Sequence, residues 1–325
     1  MEQFEFNLQA GIPTLDIRRY TEGDAKEKKA FADELGAAYR IVGFAAISGH
    51  KVSTDLIKDM YDEIDSFFKL PEETKLKYSK PETNGQRGFV RFGQEHAKGN
   101  SSIDLKEFWQ VGQTNLSQFA DITQFHENVA VDEQPNFSIR AEEMYKSLES
   151  VALTVLEAIA HHLGLPLNYF KEYVIGGNSI LRAIHYPPII GEPHSSVRAA
   201  EHEDINLITL LVGASADGLE VMGLDGEWNK VKPLPNQLVL NCGDMLQRLT
   251  NHQLKSTTHR VVNPPRELWH TTRYSIPFFC HPQPHMSLDA LPQCINEGEQ
   301  AKDSPITAGE YLNERLAEIG LLKAK

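Results

Sequence analysis

The chain has 325 residues, of which 41% are hydrophobic, 24% charged and 9% aromatic. With 22 glycines and 17 prolines this is globular composition, and it excludes collagen-like and low-complexity chains. Lys and Arg number 32 against 45 Asp and Glu, a net charge of −13 that argues against nucleic acid as a partner.

Cys242, Cys280 and Cys294 form no CxxC pair and no disulfide framework, as a reducing compartment would have it. The opening Met1-Glu2-Gln3-Phe4 lacks the basic and apolar stretches of a signal peptide, and no apolar run approaches the ~18 residues of a membrane span. A cytoplasmic protein with no membrane partner is expected.

In chain order, residues 12–17 read as a short extended segment and 24–40 as a helix. A second helix over 53–68 carries Leu56, Met60, Ile64 and Phe67 at helical spacing, with Ser53 or Thr54 as its cap. Residues 139–163 give the clearest helix, with Met144, Leu148, Val151, Val155, Ile159 and Leu163 on one face; Gly164 and Pro166 end it. That stripe is expected to pack against a sheet.

From about residue 173 the texture becomes short β-type runs at 180–186, 205–212, 219–222, 227–231, 237–241, 256–262 and 272–279. Asp225-Gly226 marks a hairpin and residues 241–244 another turn. Strands without interleaved helices predict an antiparallel sandwich or barrel, not a doubly wound sheet. A last helix is expected over 307–319, capped by Thr307. No repeat and no Ser/Gly linker divides the chain, so one domain is expected.

Glu201-His202-Glu203-Asp204 is read at the start of a strand. Alternation there puts His202 and Asp204 on one face and sends Glu203 away. An imidazole and a carboxylate leave most of a metal's coordination sphere open, so a third ligand from another strand is required. His259 and His252 are both available. Two His and one carboxylate on one face of a metal form the facial triad of non-haem Fe(II) oxygenases. Further along, Arg273 and Ser275 share a face; a guanidinium fork and a hydroxyl suit a carboxylate inside an apolar barrel.

Together with these, many ordered segments carry a family resemblance. Ile12-Pro13-Thr14-Leu15-Asp16, Val42-Gly43-Phe44 with Gly49-His50, Phe67-Phe68-Lys69-Leu70-Pro71 through Lys77-Tyr78, Arg87-Gly88-Phe89 and Asp104-Leu105-Lys106-Glu107 come first. Tyr186-Pro187-Pro188, Gly218-Leu219-Glu220-Val221, Asp225-Gly226-Glu227-Trp228, Asn241-Cys242-Gly243-Asp244, Leu249-Thr250-Asn251, His259-Arg260-Val261 and the run from Arg273 to Phe279 follow in the same order. In these, over most of its length, the chain resembles the Fe(II)/2-oxoglutarate-dependent oxygenases of the isopenicillin N synthase-like family.

The resemblance implies a mainly β fold with flanking helices, a double-stranded β-helix (jelly-roll) core with N-terminal and packing helices. It would be one catalytic domain over 1–325, with an N-terminal region at 1–130 and the iron-bearing core at 175–285. It implies His202, Asp204 and His259 as Fe(II) ligands, setting His252 aside. Arg273, Ser275 and Tyr186 would bind the distal carboxylate of 2-oxoglutarate. The expected reaction consumes 2-oxoglutarate and O2 and oxidises, most simply hydroxylates, a C–H bond of a small-molecule substrate. By the same analogy substrate contacts are expected from the loop bearing Arg87, Phe89 and Arg91, from Phe108 and from Phe279. The resemblance says nothing of the oligomeric state.

Two departures from the family pattern stand out. Ile184-His185-Tyr186-Pro187 stands where many plant members have Asn-Tyr-Tyr-Pro, and residues 264–270 form a longer connection before Arg273. Two rivals are a 2-oxoglutarate-independent oxidase or cyclase, of the isopenicillin N synthase or aminocyclopropane carboxylate oxidase type, and a β-barrel binding protein without turnover. In the first, Arg273 would grip the substrate.

Overall fold

In the computed structural model, which describes residues 11–94, 102–114, 125–232 and 234–318, the chain opens with β1 (Thr14–Asp16), α1 (Arg18–Thr21) and α2 (Ala25–Ile41). A capping box starts α2: the Asp24 carboxylate accepts from the backbone N–H groups of Lys26 and Glu27, and Glu27 accepts from that of Asp24. Then come β2 (Phe44–Ser48), α3 (Thr54–Phe68), α4 (Glu72–Leu76), β3 (Gly88–Val90) and β4 (Glu107–Gly112). The long α5 (Pro135–His162) and short α6 (Tyr169–Val174) lead into β5 (Ile180–Tyr186), β6 (Ala199–His202) and β7 (Ile208–Val212). Next are β8 (Leu219–Met222), β9 (Trp228–Lys230), β10 (Leu238–Cys242) and α7 (Asp244–Leu249). The order ends with β11 (His259–Val261), β12 (Arg273–Cys280) and α8 (Ala308–Glu318).

The strands form an eight-stranded sheet, β1-β2-β10-β7-β12-β5-β4-β3, and a four-stranded sheet, β6-β11-β8-β9. Except for the parallel β1–β2 pair, every pairing is antiparallel. This is the jelly-roll core with flanking helices. Strand alternation separates two layers. Outward residues of the large sheet (Leu238 and Leu240, Ile208 and Leu210, Ile276 and Phe278) join one core with Phe31 and Leu35 of α2, Ile64 and Phe67 of α3, and Leu148 and Val155 of α5. Inward residues face the small sheet: Val239 and Leu211 cluster with Leu219 and Val221, and Ile184 and Tyr186 with Ala199 and Val261. No helix among the described residues is long and apolar enough to cross a membrane.

The helices expected at 24–40 and 53–68 are α2 and α3. The one expected at 139–163 starts at Pro135, because a proline in the first turn loses no helical hydrogen bond. Thr307 caps α8 reciprocally with Glu310. Several β expectations are corrected. The run at 205–212 is strand only from Ile208, since Asn206 turns inward to donate to Thr209 Oγ1 at 2.8 Å. The run at 256–262 is strand only over His259–Val261: Ser256 N–H donates to Gln247 and the Thr257 and Thr258 hydroxyls donate to Val42 O and Glu203, off the sheet ladder. The His202 cluster closes a strand instead of opening one. Of the turn at 241–244, Asn241 and Cys242 finish β10 and Asp244 begins α7.

Arg87 crosses the face of Gly112. Its side chain is 1% exposed and donates to the carbonyls of His126 (3.1 Å) and Gln86 (2.7 Å), and burial pushes its pKa down to about 10. A β-carbon on Gly112 would stand 1.9 Å from the guanidinium. Gly112→Ala is therefore expected to destabilise the protein by about 1–3 kcal/mol, as overpacking does; urea unfolding with an unchanged midpoint would contradict this packing.

Candidate metal and oxoacid site

A chamber between the two sheets gathers the polar residues singled out above. His202 ends β6, His259 opens β11 and the two are register partners, so their rings meet with centroids 4.3 Å apart. Asp204 follows β6 and turns its Oδ1 to both, 4.0 Å from His202 Nε2 and 3.9 Å from His259 Nε2. One ligand atom from each of the three lies within 4.8 Å of the other two.

Neighbouring groups fix which atoms face inward. His202 Nδ1 is bonded to Ala200 O at 2.7 Å and His259 Nδ1 to Thr257 O at 3.1 Å, so each Nδ1 carries the proton and each Nε2 offers its lone pair. Asp204 Oδ2 accepts from Thr209 Oγ1 (2.6 Å) and Asn241 Nδ2 (2.8 Å), leaving Oδ1 for the imidazoles. Desolvation, helped by His259, pushes the His202 pKa down to about 4. Burial opposes ionisation of Asp204, but His259, His202 and the two donors outweigh it and hold the carboxyl below its ordinary range. Two imidazoles and a carboxylate on one side of a point are a donor set for a divalent metal.

Arg273 and Tyr186 are register partners on β12 and β5, with Ser275 two residues along on the same inward face. Arg273 is 1% exposed; its Nε donates to Ala216 O at 3.1 Å, and its buried Nη1 has no hydrogen-bond partner. Its guanidinium lies 4.8 Å from the Tyr186 ring centroid. Arg198, to which the sequence reading gave no role, is 5.9 Å from the same ring and 2% exposed. Burial and the nearby Arg273 push the Arg198 pKa down to about 10. Neither guanidinium has an ion pair among the described residues. Two buried like charges beside one pocket favour an anion there.

The structure brings His202, Asp204, His259, Arg273, Ser275, Tyr186 and Phe279 to one chamber. The other expected substrate contacts do not line it. Arg87 is buried against Gly112; Phe89 faces the helical layer, 6.1 Å from Phe67; Arg91 is exposed. Phe108 packs on the inward side with Ile184 and Tyr186, its ring centroid 4.0 Å from the Arg182 guanidinium. His252 is 2.7 Å from Asp303, outside the triad. Of the departing segment, Ile184 lines the chamber while His185 points outward to Glu107 and Thr272, each at 2.8 Å. Arg182 and Lys106, to which the sequence assigns no role, also line the chamber. Alternation from Tyr186 would have exposed Arg182, four residues earlier on the same face.

The chain belongs to the Fe(II)- and 2-oxoglutarate-dependent dioxygenases of the isopenicillin N synthase-like superfamily, and is an oxidoreductase of that class. Family models match residues 12–132 (non-haem dioxygenase in morphine synthesis, N-terminal) and 177–282 (2OG-Fe(II) oxygenase superfamily). The chain is 32% identical to the 2-oxoglutarate-dependent dioxygenase htyE of Aspergillus rugulosus, over 92% of this chain and 96% of that one. It is also 32% identical to the proline hydroxylase buaE of Petromyces alliaceus, over 94% and 99%. A full-length Neurospora crassa protein solved in complex with alpha-KG superposes with a TM-score of 0.82 at 32% identity, covering 94% of this chain and 96% of its own. The same protein with alpha-KG and thymine gives 0.83 at 30% identity, over 94% and 96%. Enzymes of this family use Fe(II), 2-oxoglutarate and O2, and couple oxidative decarboxylation of the oxoacid to oxidation of a C–H bond.

Proposed function

We propose that His202, Asp204 and His259 hold the Fe(II), and that Arg273, Ser275 and Tyr186 take the distal carboxylate of 2-oxoglutarate. The observation that carries this reading is the buried Nη1 of Arg273, without a partner, in the chamber that also contains the triad. A carboxylate meeting that fork would supply the missing acceptor. When bound, iron supplies the redox chemistry that activates O2. The chain's own part is placement. Thr209 and Asn241 fix the Asp204 carboxylate, backbone carbonyls fix both imidazoles, and Ala216 O aims the Arg273 fork. Apolar walls of Phe44, Ile184, Leu211 and Val239 limit water around the reacting bond. Overall, one substrate C–H becomes C–OH while 2-oxoglutarate and O2 become succinate and carbon dioxide.

The proposed substrate is a small molecule, not a nucleic acid or a membrane component. Support comes from a chamber between the two sheets, the net charge of −13, and a relative solved with thymine or 5-formyluracil bound. Residues 1–325 would act as one catalytic domain, with 1–130 flanking the 175–285 core. Three buried, unbridged cysteines suit a cytoplasmic protein.

The test is an anaerobic Fe(II) titration of metal-free protein with and without 2-oxoglutarate. A visible charge-transfer band is expected only with both, and Arg273→Ala should weaken or remove it. Iron binding without any band would assign Arg273 to a substrate carboxylate, as in the oxidase branch.

A further inference from the structure

Each imidazole of the triad is held through a backbone carbonyl, and each carbonyl belongs to a residue tied down from elsewhere in the chain. For His259 the carbonyl is that of Thr257, whose own hydroxyl donates to Val42 O at 2.8 Å. For His202 it is that of Ala200, at 2.7 Å. β6 is an edge strand: β11 lies on one side, and no strand among the described residues pairs with the other. Ala200 has no register partner on β11, so the sheet leaves its polar groups unanswered. Its N–H donates instead to Asp104 Oδ1 at 3.0 Å. Asp104 is 4% exposed, and Lys106 Nζ donates to its Oδ2 at 2.8 Å. The loop is anchored where Leu105 N–H donates to Val197 O at 2.9 Å. A buried carboxylate thus stands where a neighbouring strand would, one oxygen on an ammonium and the other on Ala200.

We propose that Asp104 is a positioning residue of the metal site: by holding Ala200 it sets the ring orientation and the tautomer of His202. The proposal rests on the iron reading above. Ala200 is fixed at both its polar groups, and its C=O accepts only from a ring that carries the proton on Nδ1. With the proton there, Nε2 keeps the lone pair that a metal needs. Released from Asp104, Ala200 keeps an orphaned N–H at a buried position, and its carbonyl loses the contact that aims it at the ring. The imidazole then gains access to the other tautomer, whose Nε2 carries hydrogen toward Asp204 and offers the metal no lone pair. Asp104 does not line the chamber, so its effect reaches the metal through Ala200 and His202.

The experiment uses the full chain, metal-free, with its histidine ring nitrogens isotopically labelled. Long-range proton–nitrogen spectra report each tautomer, and the His202 signals are identified by their loss in His202→Gln. Wild-type His202 is expected to carry its proton on Nδ1. Asp104→Ala should populate the Nε2-protonated form and weaken Fe(II), measured anaerobically against a chromophoric chelator, by roughly 10- to 100-fold. Asp104→Ser, polar but one bond too short to reach Ala200, should do the same and serves if Asp104→Ala does not fold. Asp104→Asn keeps an oxygen for the Ala200 N–H while losing the charge opposite Lys106, so it should restore the tautomer and most of the affinity. Lys75→Met opens an equally buried ion pair outside the chamber, Lys75–Glu107 at 2.8 Å, and should lower Tm without altering His202. Wild-type His202 protonated on Nε2 would overturn the proposal, as would an unchanged tautomer and affinity in whichever of Asp104→Ala and Asp104→Ser folds. Equal losses in Asp104→Asn would overturn it in favour of the Lys106 charge, and the same His202 change in Lys75→Met in favour of loosened packing. Failure of the iron reading would appear separately, as wild-type His202 signals that Fe(II) leaves sharp.

Discussion

Asp204→Ala is expected to reduce 2-oxoglutarate consumption and succinate formation to background and to abolish the rise in Tm that Fe(II) gives the wild-type protein. Asp204 is the only anionic member of the triad, and its Oδ1 faces both imidazoles. Without it, two imidazoles alone would face a bound metal, with no anionic ligand to compensate its charge. The partners of Oδ2 matter for a different reason. Thr209→Val leaves the carboxylate in place but removes the 2.6 Å hydrogen bond that aims it. Loss of such an orienting contact typically costs about 10- to 100-fold in metal affinity. Anaerobic competition with a chromophoric chelator measures both variants, and thermal unfolding of the metal-free forms checks that each is folded. Wild-type Fe(II) affinity in Asp204→Ala would place the metal elsewhere.

Arg273→Met is expected to raise the 2-oxoglutarate KM by roughly 30-fold to several thousandfold. That range corresponds to the 2–5 kcal/mol lost when one partner of a buried, hydrogen-bonded charge pair is removed. Arg198→Met should act in the same direction by only about tenfold or less, since its charge reaches the carboxylate through space past the Tyr186 ring. The metal-free proteins separate binding from structure. Arg198 and Arg273 repel one another with no carboxylate between them among the described residues, so Arg198→Met should unfold no earlier than wild type without 2-oxoglutarate. A lower Tm for Arg198→Met in that state would make Arg198 a packing residue and remove it from the binding account.

Much of the site was legible because strands alternate. Arg273, Ser275 and Phe279 share a face by counting in twos, and the same count from Tyr186 reaches Ile184 and Arg182. The His202–Asp204 pair was found with the wrong local structure: the strand ends at His202, and Asp204 is brought round by Thr209 and Asn241, far from it in sequence or carrying no pattern. Buried strands hide for the opposite reason. Every residue of β4 is buried, so Glu107–Gly112 shows no polar alternation, and Glu107 is answered by Lys75 and His185. α6 and α7 are six residues each, too short for a helical stripe to show. In the sequence Arg87 reads as a substrate contact on a loop, and Arg198 as an ordinary charge. Only the tertiary structure reveals that both are buried, one against a glycine and one beside an aromatic ring.

The two faces of β12 serve different masters. Arg273, Ser275, Pro277 and Phe279 look into the chamber, while Tyr274, Ile276, Phe278 and Cys280 build the core under the helices. Insertion or deletion of a single residue within this strand would exchange the faces, sending a guanidinium into the hydrocarbon core and a phenyl ring into the chamber. Evolution of new substrate preference in such a scaffold is thus confined to replacement of one side chain by another along the strand, with changes of length reserved for the loops at its ends.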